Sequence, residues 1–97
     1  MDITDIENTL IEVHQEIQDK KPDSTKVQAS TRPLRDLPGF DSLLVPVAFR
    51  RLARRLGIQL PTDYRVPNLY VNPTTRQRLT IAEIAGEFYQ RFGAKAA

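Results

Sequence analysis

The sequence predicts a small all-α protein: three main helices plus a short fourth, packed as a bundle, with a long loop between the first two main helices. Three observations predict it. Apolar residues recur at spacings of three and four in three separate stretches, each wide enough for one buried helical face. Two of those stretches open on a Thr followed three residues later by Glu, the pattern of a capping box. Seven prolines and four glycines among the 97 residues fall mostly between the stretches, where they break any longer element.

The first helix is expected over about residues 2–18, where Ile3, Ile6, Leu10, Val13 and Ile17 share a face. Thr4 and Glu7 have capping-box spacing, although the pattern suggests a start nearer Asp2. His14, the single histidine, lies between Leu10 and Ile17 and reads as a structural or exposed residue. A loop over 19–41 follows, opened by Lys20, Lys21, Pro22, Asp23 and Ser24, with Val27, Leu34 and Leu37 as the residues able to pin it to a core.

The second helix is expected over about 42–56, stopped by Gly57. Val45, Ala48, Phe49, Leu52 and Leu56 form its core side, and Arg50, Arg51, Arg54 and Arg55 lie opposite with Leu43 and Val47. Pro46 costs little in a first turn but discourages helical geometry at Val45, so it distorts the start. Residues 57–79 are loop-like, and Leu69-Tyr70-Val71 fits a single-turn helix or a brief extended segment equally well. Tyr64, Tyr70, Asn72 and Arg76 are the residues to follow there. The last helix, about 80–92, opens on Thr80 and Glu83 and buries Ile81, Ile84, Ala85, Phe88 and Phe92, with a frayed tail from Gly93.

A chain of this length forms one domain, 1–97, with a single small core and little room for a deep substrate cavity. It contains no cysteine and one histidine, which removes disulfides, thiolate metal sites, a Cys nucleophile and most acid–base sets. No catalytic or metal-ligating group is therefore expected. No apolar run reaches membrane-spanning length, and the acidic N-terminal residues lack the regions of a signal peptide, so a monomeric cytoplasmic protein is expected. Net charge is +2 but uneven: residues 2–19 hold six acids and no base, while 14 basic residues face six acidic ones elsewhere. The imbalance fits a nucleic-acid face or an acidic helix packed beside a basic one.

The candidate site is Gly39-Phe40-Asp41-Ser42-Leu43. Ser42 stands where a Gly-containing turn meets an amphipathic run, so its hydroxyl is an N-cap or an exposed group where helix N–H donors favour a phosphate. Together with Leu56-Gly57-Ile58-Gln59-Leu60-Pro61 and Leu79-Thr80-Ile81-Ala82-Glu83-Ile84, the longer stretch Asp36-Leu37-Pro38-Gly39-Phe40-Asp41-Ser42-Leu43 resembles the acyl and peptidyl carrier proteins. That family has an Asp/His-Ser-Leu motif at the start of its second helix. The resemblance implies a carrier-protein bundle that holds acyl intermediates as thioesters on 4'-phosphopantetheine, attached to Ser42 as a phosphodiester. Asp41 would supply an acceptor at the helix mouth and Leu43 an apolar contact. The implied partners are a phosphopantetheinyl transferase and acyl-transferring, acyl-activating or condensing enzymes of a specialised lipid or secondary-metabolite pathway, meeting Leu43, Val47, Arg50, Arg51, Arg54 and Arg55. The chain would be a modified phosphoprotein, and not itself an enzyme, with no nucleic acid or membrane among its partners.

Two departures stand out. Carriers of fatty-acid synthesis usually present an acidic second helix, whereas this chain has four arginines there, which points to partners with acidic or apolar docking faces. The segment between Pro61 and Thr80 is also long, resembling stand-alone specialised carriers, and either shapes an acyl cleft or is a tolerated insertion. Two other classes stay open: a small helix-turn-helix-like DNA-binding protein using the basic helix of Arg50 to Arg55, and a carrier-like scaffold that is never modified.

Overall fold

Helix α1, Ile3–Asp19, is the element against which the rest packs in the computed structural model, which describes residues 2–20 and 25–93. Its start is set by Asp2, whose side chain accepts from the Asp5 N–H while the Asp5 carboxylate accepts from the Asp2 N–H. The capping box is thus formed by Asp2 and Asp5, not by Thr4 and Glu7, so the helix starts two residues earlier than that pair would place it. Ile6, Leu10 and Val13 are fully buried, and the stripe continues through His14 and Gln18, leaving Ile3 at the rim. The residues expected to end the helix at 21–24 lie outside the described ones.

The expected long loop contains a single-turn helix α2, Pro33–Asp36. Pro33 presets the backbone for a first turn, and the Asp36 carboxylate accepts from the Arg32 N–H at 2.8 Å. The short fourth helix therefore precedes Ser42, and among the described residues 57–79 hold no helix. Val27 and Leu37 are buried as anchors, joined by Thr31, Pro33 and Phe40, with Leu34 half-buried. The loop also docks on the last helix: the Ile81 and Ala82 N–H groups donate to the carbonyls of Thr31 and Ala29 at 2.9 and 3.0 Å.

Helix α3, Val45–Arg55, begins three residues later than expected. The N–H of Leu43 is taken by the Asp41 side chain and that of Leu44 by the Asp41 carbonyl, so residues 41–44 form a separate turn, and Pro46 brings no N–H to extend the helix backward. Val45, Ala48, Phe49, Leu52 and Ala53 face the core, with Leu56 half-buried. The helix ends in a Schellman motif around Gly57 at φ +75°: Gly57 N–H donates to Arg54 O at 3.2 Å and Ile58 N–H to Ala53 O at 2.8 Å.

Beyond it the chain takes the extended alternative, with Val71 and Arg78 forming an isolated antiparallel bridge. Helix α4, Ile81–Phe88, opens on the expected Thr80–Glu83 capping box and continues as a π-helical turn, Tyr89–Gly93. Residues 94–97 of the expected tail lie outside the described ones. Phe49 of α3 meets Phe88 and Phe92, with ring centroids 5.4 and 6.0 Å away, and so closes the core between α3 and the C-terminal element. The radius of gyration, 12.7 Å, matches the ~13 Å of a packed domain of about 100 residues. Among the described residues no helix is long and apolar enough to cross a membrane.

Candidate functional site

The turn before α3 is held from inside and leaves its tip outside. Leu37-Pro38-Gly39-Phe40 is a β-turn closed by the Phe40 N–H on the Leu37 carbonyl at 3.1 Å, with Gly39 at φ +75°. Proline followed by a residue of positive φ is the type II pattern, which glycine fills without a Cβ clash. Leu37 and Phe40 then enter the core. The Phe40 ring lies 5.1 Å from His14 and 5.7 Å from Tyr70, so the residue two before Ser42 is clamped between α1 and the 57–80 loop.

His14 is the buried centre of that clamp. Its Nδ1 lies 2.7 Å from the Leu10 carbonyl, which only accepts, so Nδ1 carries the hydrogen and Nε2 accepts from the Tyr70 hydroxyl at 2.8 Å. Burial disfavours the imidazolium and pushes the His14 pKa down to about 4, against a smaller opposing effect of the Leu10 carbonyl. Burial also raises the Tyr70 phenol well above its usual range. The structural reading of His14 holds; its partner could not be read from spacing, because Tyr70 is 56 residues away.

Past Phe40 the side chains emerge. The Asp41 carboxylate accepts from the Leu43 N–H at 2.9 Å, an Asx turn that fixes the backbone around Ser42. Ser42 is exposed, and its hydroxyl makes no hydrogen bond among the described residues. Leu43 is 81% exposed and Val47, one turn into the helix direction, 44%. On the other side of the turn opens a cleft of about 490 Å³ bordered by Leu34, Phe40, Asp41, Ser42, Arg76 and Arg78.

The four arginines of α3 do not act as one face. Arg50 is half-buried and donates to the Tyr64 carbonyl at 2.7 Å, tying α3 to the following loop where Tyr64 stacks on Phe49. Arg55 pairs with Glu12 at 3.7 Å and with Glu16, bringing the basic helix onto the acidic one. Arg51 and Arg54 are in no ion pair among the described residues. The site geometry thus groups Asp41, Ser42, Leu43 and Val47 at the mouth of α3, and Arg51 and Arg54 are the arginines of α3 bound neither to the 57–79 loop nor to α1.

Arg78 was missed by the sequence reading. Asn72, Pro73, Thr74 and Thr75 between Val71 and Leu79 are a turn signal that could have found the hairpin presenting it. The helix-turn-helix alternative lacks its geometry: the first helix after α3 among the described residues begins at Ile81. No protein-family model, curated protein or solved structure matches the chain.

Proposed function

We propose that the chain is an acyl carrier protein in which Ser42 holds 4'-phosphopantetheine as a phosphodiester and the arm's thiol carries acyl groups as thioesters. The observation that supports this reading is the setting of Ser42. Its exposed hydroxyl makes no hydrogen bond among the described residues, on a turn fixed by Asp41 and Phe40, with exposed Leu43 and Val47 beside it. A modification site needs this combination: access for a transferase, a backbone that does not yield, and an apolar contact to dock on. An N-cap serine would instead spend its hydroxyl on the helix. Here Leu44 occupies the N-cap position of α3 with no side-chain cap, so Ser42 has no capping task.

The neighbouring Asp41 carboxylate accepts from the Leu43 N–H and among the described residues makes no hydrogen bond to the Ser42 hydroxyl, so on this reading the attacking alkoxide is generated by the transferase, and the chain is substrate and carrier, not enzyme. Partner enzymes meet Leu43 and Val47 together with Arg51 and Arg54, which favours acidic or apolar docking faces. Co-expression with a broad-specificity phosphopantetheinyl transferase followed by intact mass measurement tests the reading. Wild type gains one phosphopantetheinyl group and Ser42→Ala gains none; an unmodified wild type removes the carrier assignment.

A further inference from the structure

We propose that Arg76 and Arg78 form a phosphate clamp beside Ser42. They border the cleft that holds Asp41 and Ser42, and they also border an adjoining cleft with Arg32 and Arg35. One feature separates both from the other arginines of this region, and a second marks Arg76. Arg32 is paired with Glu83 at 3.6 Å and Arg35 with Asp36 at 2.9 Å, whereas Arg76 and Arg78 have no acidic partner among the described residues. Arg76 also sits at φ +63°, the left-handed conformation that a residue with a Cβ adopts at a cost. Glycine or asparagine would suit that turn better. A long cation held there against its backbone preference points to a use for the cation.

The support beneath the pair is well built. The Asn72 side-chain carbonyl accepts from the N–H groups of Thr74 and Thr75 at 2.8 and 3.1 Å, and the Arg76 N–H donates to the Asn72 carbonyl at 2.8 Å. Arg78 is fixed by the bridge to Val71, and its carbonyl accepts from the Arg32 guanidinium. Among the described residues Asp41 is the one carboxylate bordering the Ser42 cleft, and its Oδ1 is engaged by the Leu43 N–H.

In an open cleft the attraction is weakened by water, so two guanidinium groups hold a free phosphate with roughly millimolar affinity. A phosphate tethered to Ser42 has an effective concentration of about that size or above, so a weak clamp is filled. The tethered source rests on the proposed modification of Ser42; free phosphate tests the clamp without it.

The unmodified full chain is titrated with inorganic phosphate at constant ionic strength, with chloride as reference, and followed by backbone amide NMR. Saturable shifts of the backbone amides at positions 42, 76 and 78 are expected, with the same midpoint in wild type and Ser42→Ala and an affinity at least about tenfold weaker in Arg76→Asn with Arg78→Gln. Asparagine tolerates the left-handed turn, and a thermal melt of that variant checks that the fold is kept. Lys26→Gln with Arg65→Gln removes the same charge away from both clefts and should leave the midpoint in place. In the modified protein the phosphorus resonance of the arm should differ between wild type and the double arginine variant, with free phosphate no longer binding. No saturation in wild type, or equal weakening in the Lys26/Arg65 variant, overturns the clamp. A Ser42 that accepts no arm removes the carrier reading and leaves the phosphate titration standing. Saturation with an unchanged phosphorus resonance assigns the clamp to free phosphate.

Discussion

Ser42 and His14 show opposite uses of a polar residue. Ser42 keeps its hydroxyl in water and its backbone fixed, and on the proposed reading its reactivity is supplied by a partner enzyme. His14 gives up its charge to become a core residue, with both ring nitrogens satisfied by Leu10 and Tyr70. Two predictions follow from that pair. Tyr70→Phe leaves the buried Nε2 without a donor and should cost about 1–3 kcal/mol, read as a fall in the urea midpoint. Because the folded-state pKa of His14 is about 4 and its ordinary value 6.5, the unfolded chain binds the proton first. The stability it contributes is therefore complete above 6.5 and is lost as pH falls toward about 4, by about 3 kcal/mol. Asp36 and Glu83, lowered chiefly by the Arg32 and Thr80 N–H groups, act in the same direction from the carboxylate range downward. The upper part of the slope thus belongs to His14. An NMR titration of the His14 ring with a midpoint near its ordinary value would contradict this account.

Among the elements, the turn over Leu37 to Phe40 matters most to the site, since it carries Phe40 into the core and Ser42 out of it. Gly39→Ala places a Cβ at φ +75°, and should lower stability by about 1 kcal/mol and slow transferase modification. Unchanged stability and rate would show that the turn can adjust without moving Ser42. The elements also show what could be read in advance. The stripes of α1, α3 and α4 and the Thr80–Glu83 cap were legible, because a helix records its buried face and its start within a few residues of sequence. The start of α3 was legible only in part: Pro46 announced a disturbance, but the Asx turn of Asp41 that displaces the helix to Val45 depends on backbone geometry. The hairpin carrying Arg76 and Arg78 was not read at all as a hairpin. Its bridge joins only Val71 and Arg78, too short to write an alternating pattern. The His14–Tyr70 bond joins distant segments and leaves no local trace.

Across the whole molecule, charge is arranged so that acidic α1 and basic α3 meet through Arg55, Glu12 and Glu16. Exposed pairs of this kind contribute at most about 1 kcal/mol each, so their chief effect is to determine which cations remain free. On α3, Arg51 and Arg54 are in no ion pair among the described residues, and on the proposed reading they flank its docking side. A condensing enzyme evolved for carriers with an acidic second helix should bind Arg51→Glu with Arg54→Glu more tightly than wild type; equal binding would show that these residues do not select partners. All of this depends on Ser42 being the point of attachment, and the sequence offers a clean way to ask. Trypsin cleaves after Arg35 and Arg50, and the peptide between them, residues 36–50, contains Ser42 as its one hydroxyl-bearing side chain. After treatment with a phosphopantetheinyl transferase, the account predicts that this peptide alone gains a phosphopantetheinyl group, with fragmentation placing it on Ser42. An unmodified 36–50 peptide, or the added mass on any other peptide, would contradict it.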